Sequence, residues 1–192
     1  MEYLRLSWAD IEDACRKISV EIASRGIGDY MLIGISRGGL VPLRMLSDFI
    51  SAQELSTLQV RFYEDIGKTR GEPEVVLPVQ GDVSGRNVIL VDDISDTGES
   101  IIAAREHLKK KGAMDIVVAT VSMKTHTKLV PDIYAFETTA WVIFPWEVQE
   151  TIRRIIEAAG ERALAVKELR KAGLQPREYV KLLSSIMEGE RV

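Results

Sequence analysis

The sequence predicts an α/β fold: a parallel sheet with helices packed on it, followed by a helical extension. Three observations predict it. Short apolar, β-branched runs near residues 31–35, 88–91 and 115–123 alternate with helical patterns, the rhythm of a parallel sheet joined by right-handed crossovers. Two of those runs pass into glycine-bearing loops that open helices, at Ser36–Gly39 and Asp96–Ser100. From Val148 the strand pattern stops and helical periodicity takes over. The expected division is residues 1–147 as the main domain and 148–192 as the extension.

Taken in order, Ser7 and Asp10 have the spacing of a capping box. Ile11, Ala14, Cys15, Ile18 and Ile22 then recur at helical spacing up to Gly26. Met31–Ile35 reads as a core strand, and Leu40–Ile50 as a helix with Pro42 tolerated in its first turn. Thr57–Tyr63 alternates like a strand. Glu64–Pro78 is polar and irregular, and reads as a lid loop carrying Lys68 and Arg70 toward a polyanion. Val88–Val91 is a buried strand, and the helix after Gly98 carries Ile101, Ala104 and Leu108. Strands are expected at Asp115–Met123, Ile133–Phe136 and Trp141–Phe144. Helices are expected around Ile152–Ala159, Ala163–Ala172 and after Pro176.

Composition narrows the function. The chain has 192 residues, 46% hydrophobic and 28% charged, with a formal net charge of −4. That balance is ordinary for a globular protein and argues against bulk nucleic-acid binding. The tail from Val148 is net basic and the remainder net acidic. Cys15 stands alone, so neither an internal disulfide nor a cysteine zinc site is expected. No apolar run reaches the ~18–20 residues of a membrane span. The start, M-E-Y-L-R-L-S-W, lacks the apolar core of a signal peptide, so a cytoplasmic location is expected.

The chemistry concentrates in N-V-I-L-V-D-D-I-S-D-T-G-E-S, residues 87–100. A strand, a tight loop and a helix start make an anion site, because the first helical N–H groups lack partners and the dipole favours negative charge by ~0.3–1 kcal/mol. Ser95, Thr97, Gly98, Glu99 and Ser100 supply that loop, with Thr97 and Ser100 adding hydroxyl donors. Asp92 and Asp93 would repel a bare phosphate but can accept hydrogen bonds from a diol. A sugar phosphate satisfies both halves. Ser36, Arg37, Gly38 and Gly39 form a second loop of the same kind, where a guanidinium suits phosphate oxygens. Two such sites on one sheet could hold the two ends of one polyphosphorylated ligand. Lys124 ends a strand and Trp141 begins one. Together they suggest a nucleobase stacked on the indole with a carbonyl facing the ammonium, which selects an oxo over an amino group.

V-D-D-I-S-D-T-G-E-S resembles the phosphoribosyl-diphosphate signature of type I phosphoribosyltransferases. With S-R-G-G-L-V-P, Lys124 and W-V-I-F-P-W-E, the chain looks like the xanthine/guanine/hypoxanthine phosphoribosyltransferases over residues 5–150. The resemblance implies a type I phosphoribosyltransferase fold with a small hood and a C-terminal helical extension. It implies purine salvage: the 5-phosphoribosyl group passes from phosphoribosyl diphosphate to N9 of a 6-oxopurine, releasing pyrophosphate, with Mg²⁺ as cofactor. By the same analogy Asp96 is the general base on purine N7, Trp141 stacks on the base and Val142 reads its edge through backbone atoms. Asp92, Asp93 and Glu147 would serve the metal. A non-proline cis peptide is expected in the loop holding Ser36 and Arg37. A homo-oligomer, dimer or tetramer, is expected, with no nucleic-acid partner. The resemblance departs at the long 148–192 tail and at Ile143, which offers no polar side chain to the base edge. The alternatives are a nucleotide-sensing regulator on the same fold, or a transferase for another nucleobase.

Overall fold

The computed structural model describes residues 1–62 and 71–187. The chain forms two compact units, Ile11–Thr138 and Met1–Asp10 with Thr139–Val192.

The first, the sheet unit, carries a six-stranded sheet. Its strands are β2 (Tyr30–Ser36), β3 (Leu55–Phe62), β4 (Pro73–Leu77), β5 (Asn87–Ser95), β6 (Asp115–Lys124) and β7 (Ile133–Thr138), in spatial order β4-β3-β2-β5-β6-β7. All neighbours run parallel except β3 and β4. Its helices are α2 (Leu40–Phe49), α3 (Glu99–Lys110) and most of α1 (Trp8–Ser24). One core joins alternate residues of the central strands, among them Ile33, Ile35, Val88, Leu90 and Val118, to Ile101, Ala104 and Leu108 of α3. Each of the valine, leucine and isoleucine side chains, when fully buried, stabilises the fold by ~1.5–3 kcal/mol, and that anchors the start of α3 at the carboxyl end of β5. Cys15 is fully buried on α1, and burial pushes its thiol up to about 12.

Three elements differ from expectation. The region read as a lid contains β4, an antiparallel edge strand on β3. Its register breaks between Gln59 and Val60, and Pro73 begins it, a position where a missing N–H costs no ladder bond. Lys68 and Arg70 lie outside the described residues. Next, β5 does not end at Val91 but runs through both aspartates to Ser95, because β6 is long enough to pair with it up to Met123. Finally, β6 and β7 are parallel neighbours joined by residues 125–132 without a helix, a short crossover for parallel strands.

The second, the hood unit, opens on β1 (Tyr3–Arg5), which pairs in parallel with β8 (Trp141–Ile143). The expected capping box is present: Ser7 N–H donates to Asp10 Oδ2 at 2.7 Å, and Asp10 N–H donates to Ser7 Oγ at 3.2 Å. The tail forms α4 (Val148–Ala159), α5 (Arg162–Lys171) and α6 (Pro176–Met187). Gly160 and Gly173 sit between them with positive φ. Ile152, Ile156, Ala165, Leu169, Tyr179 and Leu183 bury a core that includes Ile143 of β8. Arg5 forks onto Glu178 (2.6 and 3.1 Å) and reaches the Gly173 carbonyl at 2.7 Å. No helix among the described residues is long and apolar enough to cross a membrane.

Candidate functional site

Two loops at the carboxyl ends of adjacent parallel strands, β2 and β5, build the sheet unit's candidate site. Ser36–Gly39 leaves β2 through a cis peptide between Ser36 and Arg37 and enters α2. Its glycines are demanded by packing. A Cβ on Gly38 would fall inside the carboxylate of Asp93, and one on Gly39 would fall onto the Val91 carbonyl, with the Ile35 carbonyl at 2.8 Å. The loops are therefore in contact: an acid of the β5 signature lies against the backbone of the β2 loop. Arg37 is exposed beside it.

Asp92 and Asp93 are buried at 8% and 6% exposure, unusual for carboxylates. The Asp93 N–H donates to Asp92 Oδ1 at 3.0 Å, which fixes the first side chain relative to the strand. Asp96 is exposed where the strand has ended. Gly98 then takes φ +80°, the left-handed conformation that turns the chain into α3; a Cβ there would also sit 2.8 Å from Leu129 N. Thr97 Oγ1 accepts a hydrogen bond from Glu99 N–H at 3.4 Å, and Ile102 N–H donates to the Gly98 carbonyl at 2.9 Å. Ser100 lies in the first turn of α3, where N–H groups point outward.

Ser95 does not behave as a loop donor. It is fully buried; its Oγ donates to the Leu129 carbonyl and lies against Thr127 Oγ1, both at 2.8 Å. Its hydroxyl ties a neighbouring loop down rather than facing a ligand. Lys124, last in β6, is buried as well. Burial pushes its ammonium below the usual lysine range, and the Asp96 carboxylate partly opposes that. The strand end thus holds a desolvated cation close to the acid expected to act as base.

The sequence reading missed the segment after Lys124. His126 Nε2 lies 3.3 Å from Asp96 Oδ1, and Lys128 Nζ lies 2.6 Å from Glu99 Oε1. The available signal was the shortness of the crossover: residues 125–132 leave no room for a helix, so their polar side chains stay near the strand ends.

In the hood unit Trp141 is half-buried on the wall of an apolar cavity of about 260 Å³ that also involves Tyr3, Ile155 and Ala158. The Arg154 guanidinium stands 5.9 Å from the indole centroid. Val142 is buried on the opposite face of β8. Glu147 stands at the N-cap of α4. The indole thus borders the cavity on one side and the Arg154 guanidinium on another. A cavity of about 350 Å³ in the sheet unit lies at the other, amino ends of β2 and β5, beside the Arg86–Glu54 ion pair.

The model of the phosphoribosyl transferase domain matches residues 6–152. The chain belongs to the phosphoribosyltransferase family. A xanthine-guanine phosphoribosyltransferase of Gluconobacter oxydans (strain 621H) is 27% identical over 149 residues, which cover 77% of this chain and 86% of that protein. The crystal structure of a purine phosphoribosyltransferase from Pyrococcus horikoshii Ot3 superposes with a TM-score of 0.69 at 34% identity, covering 76% and 94% of the two chains. A xanthine-guanine-hypoxanthine phosphoribosyltransferase from Helicobacter pylori shares the fold at 19% identity, with a TM-score of 0.62 over 78% and 97% of the chains. The sheet topology is thus that of a type I phosphoribosyltransferase, as expected. The family match ends within α4, so α5 and α6 lie beyond it.

Proposed function

We propose that this phosphoribosyltransferase transfers the 5-phosphoribosyl group of phosphoribosyl diphosphate to N9 of a 6-oxopurine, forming the nucleoside monophosphate and pyrophosphate. One observation carries the reading: the Asp93 carboxylate lies against Gly38, so the diol-accepting acids and the second anion loop form one continuous surface. A pentose bearing esters at both ends matches that surface. Its 5′-phosphate goes to Thr97–Ser100 at the start of α3, its 2′ and 3′ hydroxyls to Asp92 and Asp93, and its diphosphate to Ser36–Gly39 with Arg37.

Asp96, exposed beyond the strand end, takes the proton from purine N7 as N9 bonds to the sugar carbon, a contribution of ~10²–10⁴ in rate. Lys124 faces the 6-oxo group; a lysine has donors only, so an amino group in that place leaves two donors opposed. Trp141 and the Val142 backbone are proposed for the base on the strength of the resemblance, as is purine in general on that of the relatives. Lys68 and Arg70 are proposed for the diphosphate on sequence alone.

The donor set fits a magnesium ion. No group of three His, Cys, Asp or Glu side chains that could hold a metal occurs among the described residues. Magnesium held together with phosphates takes only one or two protein carboxylates, which Asp92 and Asp93 would supply; by the resemblance, Glu147 stands where the family places an acid near a second ion. Held there, such an ion would supply positive charge for the departing pyrophosphate. The chain's own residues bind the sugar, orient it and hold the purine proton.

The test is a spectrophotometric screen of hypoxanthine, guanine, xanthine, adenine and orotate with phosphoribosyl diphosphate and Mg²⁺. Turnover with one or more of the first three and not with the last two is expected. Tight nucleotide binding without turnover on any base would replace the enzyme by a sensor.

A further inference from the structure

The segment from Thr125 to Leu129 is clamped onto the loop that begins α3. Lys128 N–H donates to the Thr97 carbonyl at 3.0 Å, and Thr127 N–H donates to the Lys124 carbonyl at 3.1 Å. Ser95, from inside the fold, holds the Leu129 carbonyl, and Gly98 leaves no room between the segments for a Cβ. The backbone under His126 is therefore held by bonds that do not involve its own side chain. What it presents is an imidazole against Asp96, Nε2 to Oδ1 at 3.3 Å.

We propose that His126 is a positioning residue for Asp96: it holds Oδ1, so that the other carboxylate oxygen, Oδ2, is aimed at the purine proton. The inference rests on the reading of Asp96 as general base. A carboxylate otherwise rotates freely about its last bond, and a base that is misaligned by an ångström can lose ~10²-fold in rate. A histidine donor fixes the carboxylate plane, the task a third group performs for the base in other catalytic constellations. The charged groups around the pair are consistent with this division of labour. Buried Lys124 supplies positive charge near Asp96, while Glu99 is engaged by Lys128.

The stability contribution is small by contrast. His126 and Asp96 side chains are 63% and 53% exposed, and exposed ion pairs contribute little to folding. Substitution at 126 is therefore readable in turnover without unfolding.

The experiment measures kcat and KM for H126A, H126Q, D96N and the double variant H126A/D96N, with thermal unfolding alongside. H126A is expected to lower kcat about tenfold, leaving the KM for phosphoribosyl diphosphate within about twofold of wild type. H126Q, which keeps an N–H donor at similar reach, is expected to recover most of the loss. The double variant is expected to be no slower than D96N alone, since there is no base left to position. Wild-type kcat in H126A, or losses that multiply in the double variant, overturns the positioning role while leaving Asp96 as base. Wild-type turnover in D96N removes the base itself, and the positioning role with it.

Discussion

The two units use their side chains differently. In the sheet unit, polar groups crowd the strand ends: Asp92 and Asp93 are buried side by side, and the missing Cβ of Gly38 makes space for Asp93. In the hood unit, Trp141 has an apolar cavity wall to form and a guanidinium above it, while Ile143 belongs to the core of the tail helices. Buried neighbouring carboxylates are uncommon, whereas an indole among apolar side chains is not.

Four substitutions break or sharpen that contrast. The largest effect is expected at Asp96. D96N should lower turnover by about 100-fold or more, with nucleotide binding retained and the melting temperature unchanged, because the side chain is exposed. Equal loss of binding and stability would make Asp96 a structural residue like those of the hood.

Trp141 is expected to behave the opposite way. W141A should destabilise the protein by ~2 kcal/mol, less than the ~3–5 kcal/mol of a fully buried aromatic, measured by urea unfolding. An unchanged midpoint with a raised KM for the base would move Trp141 into the same class as Asp96.

Lys124 tests the boundary between the classes, since it is buried yet polar. K124A should narrow the preference for 6-oxopurine over adenine by about tenfold, the equivalent of one unmatched donor. A preference identical to wild type would leave the lysine with no part in base choice.

The smallest effect is expected at the tail. The Arg5 fork holds the Glu178 carboxyl below its usual range. A depressed folded value contributes stability above the unfolded value of ~4.3 that is lost as pH falls through the folded one. E178A should cost a few tenths of a kcal/mol at neutral pH and flatten the acid limb of the stability curve below about pH 4. An acid limb as steep as wild type would assign that slope to other carboxylates.

Much of this was legible in the sequence for a local reason. The β5 acids, Gly98 and the helix behind them are neighbours along the chain, so one stretch displays both the strand and the anion loop. The fourteen residues from Asn87 to Ser100 contain the contrast between apolar period and polar loop. What was missed is non-local. β1 has only three residues and exists because β8, far along the chain, pairs with it. β4 is a short edge strand that alternates weakly. Ser95 looked like a loop hydroxyl because nothing in its neighbours reveals that Thr127 and Leu129 arrive from the next crossover to cover it. His126 escaped for the same reason: its partner stands thirty residues upstream. The contact between Asp93 and Gly38 was likewise invisible, although each residue had been singled out, because register between β2 and β5 brings them together.

The most direct measurement is a crystal structure with phosphoribosyl diphosphate and Mg²⁺ bound. The account predicts the ribose 2′ and 3′ oxygens within hydrogen-bonding distance of Asp92 and Asp93, with the 5′-phosphate on the N–H groups of Thr97–Ser100. A ribose seated elsewhere, with those two carboxylates facing only protein, would contradict it.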